Sequence, residues 1–196
     1  MKNYFLVLFL LASTTSLFQS GSNCDDGVLV EKEGIVIVEA ESTTLSEGWE
    51  LQDEVAGFSG EGYLTWMLPT NVEAQNQGLL SYSFKISEPG KYTVKIRNYH
   101  DCEDFTECND IFLKMNDGSW EKNFNHTLSE WDWNSRQAID HVFSDATYDL
   151  EAGTHTLHLS GRSQHFSIDK IAIFREGTPE KVYQTAEAST CEKVSE

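Results

Sequence analysis

Acidic side chains are the first candidates for chemistry, because 32 Asp and Glu stand against 14 Lys and Arg. Neighbours such as Asp101, Glu103 and Asp104 offer the acid and base, or the nucleophile, of a glycosidase. Such a pair works only when the carboxyl groups are held about 5–5.5 Å or 6.5–9.5 Å apart. Nothing local sets that distance, and the segment reads as a solvated acidic loop. Gly57-Phe58-Ser59-Gly60-Glu61 misses the G-x-S-x-G elbow by one position, and a strand follows where the elbow needs a helix. The sequence has no H-E-x-x-H, no glycine-rich phosphate loop and no C-x-x-C. Six histidines are scattered, and His155 shares a strand face with Leu157 and Leu159, the setting of a packed histidine rather than a catalytic one.

Four cysteines allow three pairings. Cys102 and Cys108 share one short acidic segment where a small loop closes easily, which leaves Cys24 and Cys191 near the two ends. Disulfides need an oxidising compartment, and the start of the chain supplies the route. Lys2, the apolar run 4–12 and the stretch Ser13-Thr14-Thr15-Ser16 read as a secretory signal peptide, its apolar run shorter than the ~20 residues of a spanning helix. Cleavage after Ser20 or Ser22 would start the mature chain near Gly21 or Asn23. Gly21-Ser22-Asn23 lacks the pattern of a lipid-modification site ahead of Cys24. The protein is therefore expected outside the cell, in a periplasm or on a cell surface, with no membrane insertion.

With 196 residues, 39% of them hydrophobic, the chain has apolar material for one domain. Its net charge of −18 and the lack of a Lys/Arg cluster exclude nucleic acid and anionic lipid as partners.

The elements that must position any site read as strands. Leu80, Tyr82, Phe84 and Ile86 alternate with polar residues, and Tyr92, Val94 and Ile96 face away from Thr93, Lys95 and Arg97. With the turn signal Glu88-Pro89-Gly90 between them, these two segments predict a hairpin. Segments 35–40, 63–68, 111–115, 154–160 and 166–174 are strand-length and rich in β-branched or aromatic residues. No long helical period occurs, so the expected fold is all-β, a two-sheet antiparallel β-sandwich. The tail from Glu176 is polar and reads as irregular.

Particular segments in order carry a resemblance. Val38-Glu39-Ala40-Glu41, Gly57 to Leu64, Pro89 to Arg97, Trp131-Asp132-Trp133, Leu150 to Leu157 and Phe166 to Ile171 together resemble the carbohydrate-binding modules of families 6 and 35. Those modules have a galactose-binding-like β-jelly roll. The match covers the module (35–175), which follows the signal peptide (1–22) and an N-terminal segment (23–34) and precedes the polar tail (176–196).

The resemblance implies two sites. A structural calcium ion maps onto Glu39, Glu41 and Asp169, where oxygen ligands suit calcium and three close carboxylates would otherwise repel one another. A sugar platform maps onto Tyr63 and Trp131, with Trp133 two residues on. Flat rings suit the apolar faces of pyranoses. Where the family has an Asn, this chain reads Gln164-His165-Phe166-Ser167. Arg162, His165 or Ser167 is then expected to take the polar role, and the glycan to differ, a charged algal sugar included.

The implied function is a secreted, monomeric, non-catalytic protein that binds a plant or algal polysaccharide or oligosaccharide. A small polysaccharide lyase or glycosidase on the same sandwich, or a cell-surface adhesion protein, are the alternatives. Asn125-His126-Thr127 is also a glycosylation sequon.

Overall fold

The computed structural model describes Cys24 and residues 27–193, apart from positions 105 and 141. The expected signal peptide lies outside the described residues. In chain order the strands are β1 (Gly27–Val30), β2 (Ile35–Glu39), β3 (Trp49–Gln52), β4 (Tyr63–Trp66), β5 (Leu80–Ile86), β6 (Gly90–Tyr99) and β7 (Asp110–Met115). They continue as β8 (Glu121–Phe124), β9 (Arg136–Ile139), β10 (Val142–Ser144), β11 (Ala146–Leu150), β12 (Gly153–Ser160), β13 (Ser167–Arg175) and β14 (Cys191–Lys193), with one helix among the described residues, α1 (Glu180–Thr185), before β14.

Two sheets form the sandwich that the alternation predicts. The larger runs β10-β9-β8-β7-β12-β5-β1-β14 and the smaller β11-β6-β13-β4-β3, with β2 also on β13. Pairing is antiparallel except between β1 and β5. Leu80, Tyr82, Phe84 and Ile86 of the larger sheet meet Tyr92, Val94, Ile96, Ile171 and Ile173 of the smaller in one buried core.

The expected hairpin does not form. β5 pairs with β12 and β1, whereas β6 pairs with β13 and β11. The turn at 88–90 carries the chain from one sheet to the other, and the two apolar faces meet across the core instead of lying side by side. Tyr92 Oη donates to Glu88 O at 3.0 Å and braces that crossover.

The tail is not irregular throughout. Helix α1 buries Tyr183, which stacks on Phe174 at 4.2 Å between ring centroids and meets Trp133 edge-on at 5.8 Å. With Ile35, Ile37 and Ala172 these rings make a second, smaller core on the outer face of the small sheet, so β2 is buried on both faces.

Both expected disulfides form. Cys102–Cys108 closes a short loop, and Cys24–Cys191 joins residues 167 positions apart beside the β1–β14 pair. Among the described residues no helix is long and apolar enough to cross a membrane.

β13 is the strand that builds the site. β2 and β4 lie end to end along one side of it, Glu39 opposite Lys170 and Leu64 opposite Ile168. Its pairing with β6 on the other side shifts between Ile168 and Lys170. The extra residue of that bulge is Asp169, placed at the junction of β2 and β4.

Candidate functional site

Glu39, Glu41 and Asp169 converge at that junction, although β2 ends at Glu39 and Glu41 sits in the turn beyond it. Ser59 joins two of them: its Oγ lies 2.7 Å from Glu39 Oε2 and 3.2 Å from Asp169 Oδ1, and its backbone N–H donates to Asp169 Oδ1 at 2.7 Å. The N–H of Glu61 donates to Glu41 Oε1 at 2.8 Å. A side chain at Gly60 would collide with that same oxygen, and Gly60 has φ +64°, a region open to glycine. The 57–61 loop is thus folded around carboxylates.

Two cations answer the three acids. Arg97 Nη1 bonds the wholly buried Asp169 carboxylate, and Lys170 Nζ lies 3.2 Å from Glu39 Oε1. Among the described residues Glu41 has no ion pair, and its buried Oε2 has no hydrogen-bond partner. Burial first, then the charges of Glu39 and Asp169, push its pKa up to about 7. As the side chains stand, no group of three or more His, Cys, Asp or Glu among the described residues is arranged to hold a metal ion.

On the outer face of the small sheet, beside this cluster, aromatic rings gather around Trp131. Tyr63 meets it edge-on at 5.0 Å between centroids, Tyr99 lies at 5.4 Å and the Arg97 guanidinium at 5.4 Å from the ring centre. Phe58 backs Tyr63 at 5.8 Å. Tyr63 is itself almost wholly buried, its hydroxyl accepting from the Val55 N–H at 3.2 Å, while Trp131 keeps part of its surface open. A groove of about 290 Å³ adjoins these rings, lined by Tyr63, Tyr99, His165, Ser167, Glu54 and Asp101 among others.

Of the sequence candidates for sugar contact, the fold brings together Tyr63, Trp131, His165 and Ser167. Ser167 Oγ is within 2.8 Å of Thr65 Oγ1, and His165 is exposed at φ +68°. Trp133 lies apart, buried against Tyr183 in the second core. Arg162 is engaged elsewhere: it bonds Asp110, which also accepts from Ser163, and its guanidinium lies over Phe112 at 5.4 Å. Ser59, Tyr99, Glu54, Asp101 and Arg97 complete the site without having been singled out for it. Strand alternation placed Arg97 on the polar face of its segment, but only the fold shows Asp169 beside it.

This geometry belongs to a β-sandwich with an aromatic cluster and a polar groove on one outer face. Solved structures share the fold. The chain of the Podospora anserina GH26-CBM35 β-(1,4)-mannanase is similar at 18% identity and a TM-score of 0.54, over 76% of this chain and 29% of that one. A Paenibacillus cycloisomaltooligosaccharide glucanotransferase complexed with cycloisomaltoheptaose is similar at 18% identity and 0.50, over 74% and 19%. A family 35 carbohydrate binding module from Clostridium thermocellum, at 22% identity and a TM-score of 0.47, is matched over 97% of its length by 70% of this chain. The chain thus spans under a third of the first two proteins. No protein-family model and no curated protein matches the sequence. The resemblance read from the sequence segments holds as a resemblance of fold.

Proposed function

We propose that this is a secreted, non-catalytic protein that binds a plant or algal polysaccharide at the groove beside Trp131. The observation that carries the reading is the cluster of Trp131, Tyr63 and Tyr99 next to a groove of hydroxyl, amide and imidazole groups. Such a site pairs an apolar face for the C–H side of a pyranose with polar groups for its hydroxyls. Tyr63 and Trp131 touch, so a sugar has no room between them. It lies instead against the open part of Trp131 and along the groove.

The character of the groove supports binding over catalysis. Glu54 and Asp101 are both exposed, whereas hydrolysis or elimination gains most from groups in a site that excludes water. The two disulfides support export.

A calcium ion is part of the proposal. Glu39, Glu41 and Asp169 would hold it only after turning from the arrangement described above, and the unpartnered Glu41 Oε2 together with one carboxylate in excess of the cations favours an ion there. The ion would supply the positive charge that the cluster lacks; its role is structural.

Retention on a polysaccharide array, run with calcium and with chelator, tests the reading. Retention on one glycan class, lost in Trp131→Ala with an unchanged circular dichroism spectrum, is the expected result. Release of reducing ends would replace it by an enzymatic reading, and silence across the array by adhesion to a protein.

A further inference from the structure

We infer, resting on the glycan reading above, that the groove selects neutral chains and rejects those bearing carboxylate or sulfate groups. The acids that line it are Glu54 and Asp101, both exposed. Tyr99 Oη donates to Asp101 Oδ2 at 3.3 Å, which fixes that carboxylate beside the aromatic cluster where a sugar would stack.

The cations that the surrounding elements bring near are already engaged. Arg97 stands two residues before Tyr99 on the same strand face, but its Nη1 serves Asp169 and, at 3.0 Å, the carbonyl of Gly57. Arg162 stands three residues before His165 and is held by Asp110. Lys170 is paired with Glu39. Among the described residues that line the groove, none carries a fixed positive charge. Gln52, Thr65 and Ser167 carry groups that both donate and accept, as sugar hydroxyls do.

An anionic sugar in this groove meets two carboxylates and, among the described lining residues, no fixed positive charge. The discrimination is a rejection built from repulsion, with shape secondary. Its range is about 8 Å at physiological ionic strength and shrinks as salt is added, which separates it from a steric effect.

The test uses the disulfide-intact chain in affinity electrophoresis. Galactomannan and laminarin are run each before and after oxidation of their C6 hydroxyls to carboxylates, with polygalacturonate as a third probe. Retention on a neutral glycan should fall by about tenfold or more on its oxidised form at low salt. That gap should narrow at high salt, and also in Glu54→Gln/Asp101→Asn, where the ratio of charged to neutral retention is the readout. Equal or stronger binding of an oxidised glycan or of polygalacturonate by the unaltered protein overturns the inference. So does a gap indifferent to both salt and the double substitution, which would make the rejection steric. Failure to retain any probe, neutral or charged, overturns the glycan reading itself.

Discussion

Arg97 stands between Asp169 and Trp131, bonding the buried carboxylate with Nη1 while its guanidinium lies 5.4 Å from the centre of the indole ring. One side chain therefore joins the carboxylate cluster to the aromatic cluster. Arg97→Met leaves a wholly buried charge unpaired, and losses of about 3–5 kcal/mol follow from breaking such a pair on one side. Arg97→Lys keeps the charge but not the planar fork that serves Asp169 and Gly57 together. Thermal denaturation should rank the wild type above Lys and Lys above Met, and Trp fluorescence of the folded variants should report a displaced indole. Equal melting temperatures for all three would show that the pair carries no stability.

Glu41 sets a pH dependence of unusual sign for a carboxylate. Its pKa rises from the ordinary 4.5 to about 7 in the folded chain, so between those values the native state holds a proton that the unfolded state has released. Stability contributed by this group is complete below about 4.5 and falls as pH climbs to about 7. In chelator, the melting temperature of Glu41→Gln should therefore depend less on pH across that window than the wild type's. Calcium, which takes the ionised form, should stabilise the wild type more at pH 7 than at pH 5.

Trp131 and Trp133 should part company on substitution. Trp133 is buried between Tyr183 and the β2–β13 face, and truncating such a ring costs about 3–5 kcal/mol. Trp133→Ala should lower the denaturation midpoint sharply while the folded fraction still binds glycan. The partly open Trp131 should show the reverse, with a smaller stability loss and loss of retention. A Trp133 variant that keeps its stability but loses binding would move the site to the other side of residue 132.

The sequon at Asn125 is closed by the fold. Asn125 is wholly buried, its Nδ2 donating to Asn98 Oδ1 at 3.0 Å and its Oδ1 accepting from the Thr127 N–H at 2.9 Å. Expressed through a eukaryotic secretory pathway, the folded protein should carry no glycan there. Intact mass checks this, and added hexose mass on peptide 125 would show attachment before the strands close.

The sandwich was legible because β5, β6, β12 and β13 each bury alternate residues against a common core. The crossover at 88–90 was not, since a turn signal reports reversal of the chain and not the sheet that receives it. Strands β8 to β10 were missed for another reason. All three residues of β10 are exposed, and Asn123 and Gln137 occupy buried positions of β8 and β9, so no apolar alternation marks them. The three clustered acids were legible through a resemblance, but their cations were not. Arg97 and Lys170 become partners of Asp169 and Glu39 only once β6 and β2 flank β13, a long-range fact that no local pattern encodes.

The bridge between Cys24 and Cys191 turns the folded unit into a covalent ring. A protease that cuts once within any surface loop between those positions, such as 53–62 or 67–79, opens the ring without freeing a fragment. Nicked molecules keep their β1–β14 closure and separate into two pieces only after reduction. In surroundings rich in secreted hydrolases, damage of this kind is retained within the molecule rather than shed.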